Sequence, residues 1–142
     1  MMSPPSGPFW KLALEQHELS ERERIQRIEK GLESAVVKTI SQALMLSKRS
    51  AAELANTSES TLTRLQRNGG RLNAGGSERI DRVLALAKQA IDVIEDPETA
   101  IAWLSTGNLS LGGASPVMLC CTDLGGRQAR RLLTGIEWGV SV

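Results

Sequence analysis

Aromatic side chains are nearly absent from this chain, whose 142 residues include one Phe, three Trp and no Tyr. A folded core must therefore come from aliphatic side chains, chiefly Leu, Ile, Val and Ala. Such side chains suit the packing of helix against helix. A chain of this length is large enough for one ordinary domain, or for two small helical units that share a core. The sequence therefore predicts an all-α fold.

Basic residues concentrate in the middle of the chain, although the formal net charge is only +1. Between Val37 and Val83, eight Lys and Arg residues stand against four Asp and Glu residues. A local excess of this kind can neutralise the phosphates of a nucleic acid, but modest excesses are also common on ordinary solvated surfaces. The charge pattern alone therefore permits DNA binding without requiring it.

The sequence lacks the signatures of enzymes, metal sites and exported proteins. Cys120 and Cys121 are adjacent, which disfavours a disulfide between them, and no Cys or His residues have the spacing of zinc ligands. The single His17 lies in a polar stretch, with no nucleophile or carboxylate pair to complete a catalytic set. No apolar run reaches the length of a membrane span, and the Pro-rich N-terminus lacks signal-peptide features. We expect a cytoplasmic protein that is not an enzyme and needs no metal or cofactor.

The first 30 residues are predicted to be a flexible arm and a lead-in helix. Residues 1–18 are rich in Pro, Ser and Gly and show no sustained apolar period, which indicates a mobile arm with Phe9 and Trp10 as candidate anchors. Ser20 is a good N-cap for the strongly charged stretch that runs to Lys30. We expect that stretch to form a surface helix.

Two short capped segments in the basic region predict a helix-turn-helix. Ser47 precedes a helix expected from Lys48 to Ala55, and Ser58 precedes a second helix that ends at Asn68-Gly69-Gly70. Asn56 lies in the turn between them and is one of the few residue types other than Gly that tolerate a positive φ. A further helix before this pair carries apolar residues on one face: Val36, Val37, Ile40, Ala43 and Leu44.

The C-terminal half is predicted to be helical as well. A long helix should begin at Asn73 or Ser77 and run to about Ile94, before Asp-Pro ends it. Short helices and a Gly-rich loop follow, and Thr122 or Asp123 should cap a last helix. The chain then ends in an apolar tail, which suggests that another molecule covers it.

These segments resemble the Xre-type antitoxins and, more specifically, the MbcA/ParS/Xre group. The helix-turn-helix resemblance lies in Leu44-Met45-Leu46-Ser47, Ala52-Glu53-Leu54, the run from Ser58 to Arg64, and Arg71-Leu72-Asn73. The resemblance to a C-terminal toxin-binding domain lies in Ala102-Trp103-Leu104, Asn108, Leu111-Gly112-Gly113, Ser115-Pro116, Leu132-Leu133 and Ile136-Glu137-Trp138-Gly139-Val140. The resemblance divides the chain into a helix-turn-helix domain at 31–73 and a toxin-binding domain at 74–142.

The sequence departs from the family pattern at three places. Asn56 stands where the turn usually has glycine, and Thr57 stands where an aliphatic residue normally packs. Ala74-Gly75-Gly76 replaces the Pro and acidic residues that typically open the long helix, and glycine weakens a first turn. Cys121 replaces a capping Asp, so we expect the cap to shift to Thr122 or Asp123.

The resemblance implies the antitoxin of a type II toxin–antitoxin pair. Its partner would be a RES-domain toxin, which resembles ADP-ribosylating enzymes and consumes NAD or modifies a target with it. The antitoxin would block the NAD site of that toxin and repress its own promoter by binding operator DNA. A homodimer is expected because one helix-turn-helix covers little DNA and paired half-sites are the usual solution.

The second helix of the motif supplies the candidate contacts to DNA bases, because its N-terminal half enters the major groove. Arg64 is the strongest candidate, since a guanidinium can pair with guanine through two hydrogen bonds. The predicted base contacts are Ser60, Thr63 and Arg64, and the predicted phosphate contacts are Arg67, Lys48, Arg49 and Arg71. The alternative is that these polar groups form an ordinary solvated helix face.

The apolar tail supplies the candidate toxin contacts. Trp138, Val140 and Val142 would fill a pocket, and Glu137 or the terminal carboxylate would meet an arginine that otherwise binds a nucleotide phosphate. Alternatively, Trp138 packs as core. A different functional class also stays open, namely a stand-alone helix-turn-helix regulator with a C-terminal ligand or dimerisation domain, as does an interaction module that has lost DNA binding.

Overall fold

The computed structural model describes residues 5–139 and is all-helical over that range, which confirms the predicted fold class. The described part contains nine α-helices and one 3₁₀ turn at Leu109–Leu111. The helices are α1 (Pro8–Glu18), α2 (Glu21–Lys30), α3 (Ala35–Leu44), α4 (Lys48–Leu54), α5 (Glu59–Asn68), α6 (Ala74–Ile94), α7 (Pro97–Ser105), α8 (Pro116–Leu119) and α9 (Asp123–Glu137). Within residues 5–139, no helix is both long and apolar enough to cross a bilayer.

Side-chain caps fix where these helices begin. The hydroxyls of Ser47 and Ser58 accept hydrogen bonds from the backbone N–H groups three residues later, at 3.0 and 3.1 Å. Asn73, rather than Ser77, caps α6, and Thr122, rather than Asp123, caps α9. Ser77 is instead buried, where its hydroxyl accepts a hydrogen bond of 2.9 Å from the backbone N–H of Leu32. Each cap satisfies a backbone donor that the helix itself leaves unpaired.

The long helix α6 organises the packing. It contacts α1 and α2 from the N-terminal part, α4 of the central part, and α7 and α9 from the C-terminal part. Its buried residues include Ile80, Val83, Leu84, Ala87 and Ile91. These side chains belong to one continuous apolar cluster that reaches from α1 to α9. The domain division at residue 73 stays a prediction.

The N-terminal segment differs from its prediction. The expectation of a mobile arm is wrong for residues 8–18, because they form α1 and bury Phe9, Trp10 and Ala13 against the core. The two aromatic rings meet edge to face, with centroids 5.0 Å apart. Pro8 stands at the first position of the helix, where a missing N–H costs nothing. Phe9 and Trp10 are therefore anchors of a folded helix.

A partly buried polar network also joins the N-terminal helices to α6. Asp81 of α6 accepts hydrogen bonds from Arg24 Nε at 3.1 Å and Arg24 Nη2 at 2.7 Å, and a further one from the Gln16 amide. Arg27 in turn donates to Gln16 Oε1 at 2.7 Å. The hydrogen bond to Asp81 raises the pKa of the Arg24 guanidinium. The network fixes α1 and α2 on α6, because each buried polar group depends on its partners.

Candidate functional sites

Helices α4 and α5 form the predicted helix-turn-helix. Asn56, in the turn, has a φ of 55°, as its identity predicted. The turn is tied to the start of α6, because Asn73 Nδ2 donates to the backbone carbonyl of Asn56 at 3.0 Å. The two short helices therefore have a fixed relation to the long helix that follows them.

One face of α5 is open to solvent. Ser60, Thr63, Arg64 and Arg67 are all exposed, while Leu62 is buried. The four exposed residues follow the i, i+3, i+4, i+7 spacing of a single helical face. The Thr63 hydroxyl donates to the carbonyl of Glu59 at 2.9 Å, which fixes its orientation on that face. The structure thus groups these four residues, and their contact with DNA stays a prediction.

Arg67 is a predicted phosphate contact on this face itself, and Lys48 is a predicted phosphate contact beside it. Lys48 and Thr63 line the same groove of about 300 Å³ between α3, α4 and α5, and Lys38 lines it as well. Arg49, also at the start of α4, is exposed. Lys38 was part of the basic excess in the sequence but was not assigned to the site, because nothing local marked its position across the groove.

Arg71 lies in different surroundings from the other predicted phosphate contacts. Its Nη1 donates to the carbonyl of Gly31 at 2.8 Å, and its Nη2 lies 4.0 Å from a carboxylate oxygen of Glu33. It lines a separate recess with Arg27 and Lys30. The structure therefore does not bring Arg71 into the groove that Lys48 and Thr63 share.

The end of α9 presents the predicted toxin-binding residues that the structure describes. Leu132 and Leu133 are buried, whereas Glu137 is exposed and the Trp138 side chain is 77% exposed. Trp138 therefore does not pack as core in this structure. Val140 and Val142 lie outside the described residues.

Two leucines in the C-terminal half are exposed, which the sequence did not predict. Leu124 lies in the first turn of α9, and Leu109 lies in the 3₁₀ turn. Leu124 is out of phase with the buried positions of α9, which include Ala129, Leu132 and Leu133. That mismatch of phase was the available signal for an exposed apolar side chain.

The adjacent cysteines have different environments, although both are free thiols. Burial raises the pKa of the Cys120 thiol to about 12. Burial also raises the pKa of Cys121, which is only partly buried. Because the thiolate is the nucleophile, a raised pKa lowers reactivity near neutral pH.

We therefore expect iodoacetamide at pH 8 to modify Cys121 slowly and to leave Cys120 unmodified in the native protein. Intact-mass spectrometry should show at most one adduct, and two adducts after unfolding in guanidinium. The Cys121→Ser variant provides the control and should gain no adduct while folded. Two adducts on the native protein would contradict the burial of Cys120.

Comparison with known proteins agrees with this arrangement of a helix-turn-helix followed by a small helical binding domain. Residues 23–85 match the antitoxin Xre-like helix-turn-helix domain, and residues 89–139 match the antitoxin Xre/MbcA/ParS C-terminal toxin-binding domain. The two matched regions meet within α6. The chain thus belongs to the Xre/MbcA/ParS-type antitoxins, which are a family of antitoxins and not of enzymes.

A curated relative, the antitoxin Xre of Yersinia enterocolitica serotype O:8 / biotype 1B, is 36% identical over 81 residues. The aligned region is 56% of this chain and 55% of the relative. The match thus spans about half the length of each protein.

Proposed function

We propose that this chain is the antitoxin of a type II toxin–antitoxin pair, and that it binds and blocks the NAD site of a RES-domain toxin. The exposed Trp138 at the end of a toxin-binding domain carries the proposal. Tryptophan offers a large apolar surface at low entropic cost and dominates many protein interfaces when a partner buries it. A tryptophan that is exposed to solvent at the end of a helix is therefore well suited to anchor an interface.

We use the word plug for Trp138 and the residues next to it, which would enter the NAD site of the toxin together. Glu137 is exposed and offers a carboxylate to an arginine of the toxin that otherwise binds a nucleotide phosphate. Val140 and Val142 add apolar area to the same tail. A plug of this composition matches what a nucleotide pocket offers, namely apolar walls with a few cationic groups.

The experiment is co-expression with the product of the neighbouring toxin gene, followed by purification and an assay of NAD loss with and without this chain. A stable complex that suppresses NAD loss supports the proposal. A complex that leaves NAD loss unchanged overturns the proposal that this chain blocks the NAD site. Absence of any complex overturns the antitoxin role and favours a stand-alone regulator with a C-terminal ligand or dimerisation domain.

We also infer that the chain represses its own operon as a homodimer through α5. The inference rests on the exposed face that Ser60, Thr63, Arg64 and Arg67 share, and on Lys48 beside it. A single motif buries little DNA surface, so two copies on half-sites separated by about one helical turn would supply the affinity. Arg49 and Arg71 are assigned to DNA phosphates that flank the major groove, Arg71 from its separate recess.

Replacement of Arg64 by Ala should weaken operator binding by about 5- to 150-fold, since a bidentate base contact contributes about 1–3 kcal/mol. Fluorescence anisotropy with promoter DNA and with scrambled DNA measures the effect. The loss should be confined to promoter DNA, because a base contact reads sequence. Lys48→Ala should weaken binding to both DNAs. It should also lower the slope of log affinity against log salt concentration by about 1.

The matched control is Arg131→Ala, which removes an exposed arginine of α9 and should leave DNA affinity nearly unchanged. If Arg64→Ala binds promoter DNA as tightly as the unaltered chain, the open face of α5 is only a solvated surface.

A further inference from the structure

A polar recess of about 240 Å³ lies where α1, α2, α6 and α9 meet. It is separate from the open face of α5 and from the end of α9. The charged and polar side chains around it include His17, Arg24, Lys88, Gln89, Asp92 and Arg130. Helix α6 packs against the other three helices, and Gln89 of α6 also donates to the backbone carbonyl of Arg130 in α9 at 3.2 Å.

Two of the cations are held in place and partly buried. Asp81 orients Arg24 through Nε and Nη2, while Asp92 accepts both hydrogen bonds that Lys88 Nζ makes, at 2.7 and 2.6 Å. Their side chains are 32% and 19% exposed, respectively. An arginine has five N–H donors and a lysine three, so each keeps donors that these carboxylates do not use. Both side chains can therefore donate hydrogen bonds to a further acceptor.

The third cation has no such counter-charge. Within residues 5–139, no carboxylate lies within ion-pair distance of the Arg130 guanidinium or of the His17 ring. The recess therefore holds three permanent cations and only one carboxylate of its own, Asp92. Even with Asp81 counted behind Arg24, the charge is positive. The unpaired charge lies on Arg130, which is exposed, beside the partly buried Arg24 and Lys88. A positive excess of this kind in a concave site attracts anions.

We propose that this recess binds a small phosphorylated molecule through its phosphoryl group. Phosphoryl oxygens accept several hydrogen bonds at once and carry the negative charge that Arg130 has no carboxylate to supply. The volume exceeds that of a single phosphate, so it leaves room for an organic part beside Gln89. A free ligand fits better than a macromolecular surface, because the donors of Arg24 and Lys88 lie inside a concavity. The bound molecule would contact helices of both the N-terminal and C-terminal parts.

The test uses inorganic pyrophosphate as the probe, in calorimetry and in thermal unfolding of the full chain at constant ionic strength. We expect one binding site per chain and a rise of the melting temperature, because a ligand that binds only the folded state stabilises it. Arg130→Gln should weaken binding at least about tenfold, since it removes charge-assisted hydrogen bonds. Arg131→Gln is the matched control, an equal change of charge at the next residue, and should alter affinity by less than about twofold.

Circular dichroism verifies that both variants remain folded. An equal loss in the two variants would show a general effect of charge and would overturn the site. Equal stabilisation by pyrophosphate and by chloride at matched ionic strength would overturn it as well. Neither measurement involves DNA or toxin, so the outcome is independent of the proposed antitoxin function.

Discussion

Truncation after Glu137 is expected to abolish toxin neutralisation while leaving the helices and DNA binding intact, and Trp138→Ala alone should reproduce most of the loss. The Trp138 side chain is 77% exposed, and the buried residues of α9 all precede it. Its removal therefore takes nothing from the core of residues 5–139. Truncation of an interface anchor typically costs about 2 kcal/mol or more, which corresponds to about 30-fold or more in affinity.

Growth rescue in cells that express the toxin, and titration of NAD loss with the purified variant, measure this effect. Met45→Ala is a matched control, because Met45 is an apolar residue that is 88% exposed and lies at the end of α3, not on α9. It should neutralise normally. A fall in helix content or melting temperature for Trp138→Ala would instead show that Trp138 stabilises the fold. Unchanged neutralisation would remove the tail from the interface.

The starts of helices were predictable because their signals are local. A Ser or Asn followed by an amphipathic segment is enough to cap a helix, as at Ser47, Ser58 and Asn73. The positive φ of Asn56 was predictable for the same reason. The helix-turn-helix and its exposed face follow from these positions and from the burial of Leu62.

The structure of the N-terminal segment was not predictable in the same way. Whether Phe9 and Trp10 are buried depends on α6, which lies more than sixty residues later in the chain. Gln16 and Arg24 are residue types typical of a surface, and only the distant Asp81 joins them in a partly buried network. The surroundings of Arg71 were not predictable for a similar reason, since its partners Gly31 and Glu33 are brought to it by folding. Long-range packing decided each of these cases.

The glycines at the start of α6 show a local rule overridden by such packing. Glycine lowers helix propensity, so Gly75 and Gly76 were expected to weaken the first turn. In the structure, a Cβ on Gly76 would lie 2.1 Å from the backbone carbonyl oxygen of Ala55, at the end of α4. Only glycine permits this close approach, which lets the end of α4 in the helix-turn-helix pack directly on the start of α6.

Gly76→Ala should therefore destabilise the protein by about 2–3 kcal/mol, because the clash is with backbone that must move, and overpacking of this kind outweighs the gain in helix propensity. Urea unfolding followed by circular dichroism measures the change. DNA affinity should fall as well, since α4 would shift relative to α6. Both effects come from a single methyl group.

Gly75→Ala is the matched control at the neighbouring residue. Its Cβ would meet the side-chain amide of Asn56 at 2.5 Å, and a side chain can rotate away where a backbone carbonyl cannot. The Asn56 amide makes only a long hydrogen bond of 3.4 Å to Asn73, so little holds it in place. We expect this variant to be within about 0.5–1 kcal/mol of the unaltered chain, because the helix gains propensity in return. Equal destabilisation by the two variants would mean that both glycines serve the first turn itself, and that the contact with Ala55 does not determine how the helix-turn-helix is held.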